Sequence, residues 1–252
     1  MFALPLAQDD SEIWVKGTLE STPYVDLTLE AVKEFGVKVQ MSDDYNRFRI
    51  PGGQQYKGLK GYGVEGDYSS AAFLLAAGAI GGSMEVHGLK KDSKQGDSII
   101  LRVLKSMGAD VRIGKESVKV VRENLYGIEL DARNIPDLVP ILAVLGCYAK
   151  GKTRIFNAGR LRMKESDRLA SITSELRKMG AEIEEKQDEL IISGSKLTGA
   201  VVDAHRDHRI AMSCAIAALG AKGKTAIEGA EAIGKSYPDF FSDLAKITQK
   251  KK

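Results

Sequence analysis

The sequence predicts an α/β protein made of repeated units, each a buried helix, a strand, an amphipathic helix and then paired strands. Two observations carry this. The segments AVKEFGVKV, VLKSMGADV and ELRKMGAEI each end a helical apolar pattern at a glycine, and those glycines, Gly36, Gly108 and Gly180, lie 72 residues apart in both intervals. Glycine there supplies the left-handed conformation that closes a helix and that other residues resist. Three uncharged stretches, residues 71–82, 138–149 and 210–221, form the second repeating feature, each 12 residues long. That is well short of the roughly 20 residues a membrane span needs, so they read as buried helices and no membrane partner is expected.

The elements follow in order. The first two buried stretches lead into similar strands, GGSMEVHGL and GKTRIFNAG, and the third into GKTAIEGAE. Residues 1–7 followed by SEIWVKGTL resemble the end of a buried helix and its strand, so the chain reads as beginning inside a repeat. The glycine-rich residues 51–67 (PGGQQYKGLKGYGVEGD) mark the expected domain junction, near residues 62–66. The expected division is residues 1–62 as the last, truncated unit of one domain and residues 63–252 as a second domain of three units, closed by the helix YPDFFSDLAKI.

Composition excludes several classes. With 252 residues, 43% hydrophobic and 28% charged, the chain has the make-up of a globular protein of one or two domains. Its 37 basic and 34 acidic residues leave a net charge of +3, too even for a nucleic-acid binder by bulk electrostatics. The lysines at residues 250–252 read as a solvated tail. Cys147 and Cys214 both fall inside apolar stretches, which suits small core residues in a reducing, cytoplasmic compartment. Neither has a partner at zinc-ligand spacing, and His205 and His208 lack a completing carboxylate pattern, so no metal is expected. No charged-then-apolar leader opens the chain.

Chemistry is sought where the repeats differ. Asp67, Asp137 and Arg209 occupy one position, immediately before a buried helix, where unpaired N–H groups make the helix end positive. Aspartate there is a common cap. Arg209 breaks that pattern, and with Asp207 and His208 it makes a dense polar group that suggests an anion site for phosphate or carboxylate. Counting back 72 residues, Lys164-Glu165 corresponds to Asp92-Ser93 and Glu20-Ser21, and Arg168 to Gly96 and Tyr24, so the other repeats build this helix start without the Lys-Glu-x-x-Arg arrangement. Spacing alone leaves open that this is only a solvated helix start. Arg160 and Arg162 precede it, and cations gathered at a positive helix end need an anion to offset them. Lys235 stands just before the last helix, where the fragment GKS lacks the rest of a phosphate-binding loop.

The segments LESTPYVDLTLE, EGDYSSAAFLLAA, NIPDLVPILA, MKESDRL, DHRIAM and GKSYPDFF together resemble the 5-enolpyruvylshikimate-3-phosphate synthase family, in its order, from Ser21 to Phe241. The resemblance implies repeated βαβαββ units in an enolpyruvyl transferase-like inside-out α/β barrel, with one incomplete and one near-complete domain. It also implies that an N-terminal portion needed to complete the cleft is missing, and that the chain is inactive alone and monomeric when intact. The implied reaction joins the 5-hydroxyl of shikimate 3-phosphate to C2 of phosphoenolpyruvate and releases phosphate, without metal or organic cofactor. On that scheme Asp137 looks like the base and Glu165 the acid, a task that favours a raised pKa. Ser21, Tyr24, Asp137 and Lys164 resemble contacts to shikimate 3-phosphate. Arg168, Arg209 and Lys235 look like the clamp on phosphoenolpyruvate, with His208 in support. Arg160 stands where some members carry an asparagine and is given no role. Two other readings are a UDP-N-acetylglucosamine enolpyruvyl transferase, whose relatives differ at KESDR and DHR, and a non-catalytic module that binds an anion.

Overall fold

The computed structural model describes residues 1–248, so the lysines at 250–252 lie outside the described residues. The chain forms two compact units, one of Met1–Glu65 with Asp92–Gly96, the other of Gly66–Lys91 and Asp97 onward. The return of Asp92–Gly96 to the first unit is an excursion that no composition change signals.

In the first unit, β1 (Ser11–Trp14), α1 (Thr22–Glu34), β2 (Gln40–Met41) and β3 (Arg47–Ile50) give an antiparallel sheet in the order β1-β3-β2. Phe48 and Ile50 alternate inward along β3 and are buried with Val32 and Val37. Residues 1–7 differ from the expected end of a buried helix. They make a single 3-10 turn, Leu4–Leu6, in which only Pro5 is buried. Proline has no amide to extend the turn, and Ala7 is already extended.

The second unit begins with α2 (Tyr68–Gly81), β4 (Ser83–His87), α3 (Ile100–Ser106), β5 (Asp110–Ile113) and β6 (Ser117–Val121), with sheet order β4-β6-β5. Next come β7 (Glu129–Asp131), α4 (Val139–Tyr148), β8 (Lys152–Phe156), α5 (Arg168–Lys178), β9 (Glu182–Glu185) and β10 (Leu190–Ser193), with order β7-β8-β10-β9. β7 runs parallel to β8 and the other pairs are antiparallel, so residues 129–193 form one complete βαβαββ unit. β11 (Val201–Asp203), α6 (His208–Gly220), the parallel β12 (Ala226–Glu228) and α7 (Phe240–Thr248) complete the described chain. The repeats are therefore unequal, and the last has no closing pair of strands among the described residues.

The three uncharged stretches are α2, α4 and α6, and these helices pack against one another while the sheets lie outside them. Every residue of α4 from Val139 to Cys147 is buried. A fully buried Leu, Ile or Val side chain contributes roughly 1.5–3 kcal/mol, which explains why the stretches 71–82, 138–149 and 210–221 within these helices carry no charge. The glycine periodicity has a single local cause. Gly36, Gly108 and Gly180 have φ of +81°, +100° and +91°. Each donates its N–H to the carbonyl three residues back (Lys33, Lys105, Arg177), and the next residue donates to the carbonyl five back (Val32, Leu104, Leu176), at 2.9–3.0 Å throughout. Phe240 of α7 packs edge-on against Phe73 of α2, with ring centres 6.2 Å apart. No helix among the described residues is long and apolar enough to cross a membrane.

Candidate active site

The site grows from the start of α5. Asp167 caps this helix, its Oδ1 accepting the Ala170 N–H at 3.0 Å, and Arg168 is the first helical residue. The Arg168 side chain is 1% exposed and points at three carboxylates from three segments. Nε donates to Asp207 Oδ2, Nη1 to Asp137 Oδ1 and Nη2 to Glu165 Oε2, each at 2.7 Å. Nη2 also reaches Asp207 Oδ1 at 3.3 Å.

Three other cations meet the same carboxylates. Lys235, at the end of the 3-10 turn Ala230–Lys235, donates to Glu165 Oε1 at 2.6 Å. Lys164 Nζ lies 3.4 Å and Arg209 Nε 3.7 Å from Asp137 Oδ1, and Arg209 Nη1 donates to the Asp137 carbonyl at 3.1 Å. Lys164, Arg168, Arg209 and Lys235 are thus gathered around Asp137, Glu165 and Asp207.

The helix-end expectations need correction at two positions. Asp67 does cap α2, accepting the N–H groups of Ser69 and Ser70. Asp137 is not a cap, because Pro136 starts a 3-10 turn, Pro136–Leu138, that carries it ahead of α4. Arg209 does not precede its helix either. It is the second residue of α6, and Asp207 is the cap, its Oδ1 accepting the Arg209 N–H at 2.9 Å. The cations also find countercharge inside the chain, whereas the sequence argument sought it in a ligand. Arg162 likewise pairs with Asp167 and Glu185, at 2.9 Å each.

Electrostatics follow from this packing. Burial pushes the Asp137 carboxyl up, but Arg209, Lys164 and Arg168 outweigh it and hold the group down at about 2. Burial likewise raises Glu165, and Lys235 with Arg168 overcomes it, bringing Glu165 to about 2. The raised pKa expected of a proton donor is absent here, because two cations sit on its two oxygens. His208 is 5% exposed, and burial, with Arg209 beside it, lowers its pKa and so favours the uncharged ring. Its Nδ1 has no hydrogen-bond partner among the described residues.

Ser21 and Tyr24 belong to the first unit. Ser21 precedes α1 with φ of +57°, and its carbonyl accepts the Tyr24 N–H at 3.0 Å, while Tyr24 is 43% exposed. Sequence reasoning named Asp207 only within the polar group at Arg209 and gave no sign that it pairs with Arg168, although its position just before a helix start was a signal for the cap. It also missed Asp97, which is 3% exposed, accepts the Ser69 hydroxyl, and has a buried Oδ1 with no partner among the described residues. Burial raises Asp97 to about 6, against the opposing pull of Ser69 and Arg209. Among the described residues, no group of three or more His, Cys, Asp or Glu is placed to hold a metal ion.

Comparison with known proteins shows the family. A family model described as EPSP synthase (3-phosphoshikimate 1-carboxyvinyltransferase) matches residues 1–244. The 3-phosphoshikimate 1-carboxyvinyltransferase of Methanococcus maripaludis is 47% identical over 252 residues, covering 98% of this chain and 58% of the relative. That of Methanocaldococcus jannaschii is 48% identical over 250 residues, with the same coverage of 98% and 58%. Among solved structures, an EPSP synthase from Acinetobacter baumannii matches with a TM-score of 0.81 at 27% identity, covering 97% of this chain and 58% of that one. The enolpyruvyl transferase NikO from Streptomyces tendae, at 20% identity and a TM-score of 0.76 over 97% of this chain and 57% of that one, shares the fold. The chain thus spans 58% of the length of the curated relatives it matches.

Proposed function

The chain belongs to the EPSP synthase (3-phosphoshikimate 1-carboxyvinyltransferase) family, and from that premise we propose that it carries much of a site for enolpyruvyl transfer from phosphoenolpyruvate to the 5-hydroxyl of shikimate 3-phosphate. One observation carries the reading. Four cations, Lys164, Arg168, Arg209 and Lys235, converge on three carboxylates around Arg168, a set of donors already gathered where a small polyanion would need them.

Arg168, Arg209 and Lys235 hold the phosphate and carboxylate of phosphoenolpyruvate, where guanidinium forks match paired oxygens. Lys164 contacts shikimate 3-phosphate. Asp137 takes the proton of the 5-hydroxyl as its oxygen bonds to C2, and Glu165 delivers a proton to C3. Phosphate then leaves C2 as Glu165 removes a proton from the new methyl group, which restores the carbon–carbon double bond. Glu165 cannot begin as the donor while Lys235 and Arg168 hold it ionised. Phosphoenolpyruvate supplies the switch, because its oxygens draw those cations away and let burial raise the carboxyl. His208, next to Arg209, supports the clamp. The buried free thiols of Cys147 and Cys214, raised by burial to about 12, suit a reducing cytoplasm, and the assembled enzyme works as a monomer.

Calorimetric titration tests this. Phosphoenolpyruvate and shikimate 3-phosphate are expected to bind residues 1–252, and UDP-N-acetylglucosamine is not. Preference for the nucleotide sugar, or for a polyanion such as RNA, would overturn the reading.

A further inference from the structure

Glu175 lies seven residues beyond Arg168 on α5, and its side chain is fully buried. A buried carboxylate persists only where donors replace water, and here there are three. Its Oε2 accepts from the Asp203 N–H at 2.8 Å and from Lys178 Nζ at 2.7 Å, and its Oε1 meets His205 Nε2 at 2.8 Å. Residues seven apart share a helix face. One face of α5 therefore grips the segment before α6 twice, through Glu175 at residues 203 and 205 and through Arg168 at Asp207.

The gripped segment is held in a shape it would not choose alone. His205 and Arg206 have φ of +51° and +56°, two successive residues with side chains in the left-handed region. Local bonds close the turn, with the His205 N–H donating to Asp203 Oδ1 at 2.7 Å and the Asp207 N–H to the Ala204 carbonyl at 2.8 Å. Strained backbone of this kind persists where its surroundings over-determine it. The strain ends at Asp207, the residue that both caps α6 and receives the Arg168 fork.

We propose that Glu175 and His205 are positioning residues, which fix residues 203–207 so that Asp207 meets Arg168 and sets the direction of its guanidinium in the anion site. The consequence for affinity rests on the proposed contact of Arg168 with phosphoenolpyruvate, while the consequence for Arg168 itself does not.

The Arg168 Nε–H resonance in nitrogen-15 NMR of residues 1–252 is the signature to follow. His205→Asn removes the imidazole and keeps a residue tolerant of left-handed backbone. It is expected to shift that resonance, speed its exchange with water about tenfold and weaken phosphoenolpyruvate binding about fivefold, with little change in melting temperature. Glu175→Gln is expected to act in the same direction, and His205→Gln, long enough to regain Glu175, to restore the resonance. If Glu175→Gln does not fold, His205→Asn carries the test. An unmoved Arg168 resonance in His205→Asn overturns the proposal, whatever the melting temperature. A shifted resonance with unchanged affinity supports the positioning role and counts against Arg168 as a phosphoenolpyruvate contact.

Discussion

Arg168 and Asp207 form a forked pair that solvent barely reaches, with Nε 2.7 Å from Oδ2, Nη2 3.3 Å from Oδ1, and side chains 1% and 0% exposed. Removing one member of a buried pair strands the other charge, at a cost of about 3–5 kcal/mol. Arg168→Ala is expected to destabilise the protein by about that amount. Arg168→Lys keeps the charge and loses the fork, so it should fall between Ala and wild type. Chemical denaturation reads both variants. A loss under about 1 kcal/mol in Arg168→Ala would mean that Asp207 finds other donors.

Arg209 separates binding from folding. Its backbone N–H is what Asp207 caps, and that bond survives truncation of the side chain. The side chain is 12% exposed and touches Asp137 only through a 3.7 Å ion pair and a bond to its carbonyl. Arg209→Ala is expected to weaken phosphoenolpyruvate binding at least about tenfold and to cost stability only about 1 kcal/mol. Calorimetry and thermal melting on the same sample decide it. Loss of the cooperative transition would make Arg209 a structural residue.

What the sequence made legible was set by local rules. The cap at Gly108 and Gly180 needs only a few neighbouring residues, so it repeats visibly in the letters, and the uncharged run within each of α2, α4 and α6 follows directly from the burial of those residues. Asp137, Glu165, Arg168, Arg209 and Lys235 stood out because they broke the repeat or completed a motif. What stayed hidden depends on distant chain segments. Asp207 meets Arg168 from 39 residues away, and a linear reading that counted cations looked outside the chain for their partners. Glu175 reads as an ordinary helix-surface acid until β11 and its following turn cover it. Asp97 sits in a plain polar run, and only the fold buries it.

Asp97 should make the protein less stable as the pH rises. Its folded value is raised to about 6 from the ordinary 3.8, by burial first and then by Asp137 and Asp67, against the pull of Ser69 and Arg209. A raised carboxyl favours the folded state fully below the unfolded value, and that contribution is lost as pH climbs through the folded one. Between 3.8 and about 6 the unfolded chain gives up this proton while the folded chain keeps it. Asp97→Asn cannot ionise, and its amide still offers Ser69 an acceptor. Its stability relative to wild type should therefore increase across that window and level off above it. Paired urea titrations at several pH values measure the difference, and a constant offset would show that Asp97 is charged throughout.

Glu165 should behave in the opposite sense, and its titration tests the proton route directly. Lys235 and Arg168 hold it at about 2 against burial, below the ordinary 4.5. Its contribution to stability is present above the unfolded value and disappears as pH falls through about 2, and Asp137 adds the same dependence from 3.8 downward. In the free protein the carbon-13 carboxyl resonance of Glu165 is therefore expected to titrate near 2, and in Lys235→Ala to move upward, since one of its two oxygens loses its cation. Phosphoenolpyruvate should move it the same way in wild type, because the ligand competes for Lys235 and Arg168. A resonance that shifts in Lys235→Ala but not with bound phosphoenolpyruvate would remove Glu165 as the donor to C3, since a carboxylate kept ionised by both cations has no proton to give.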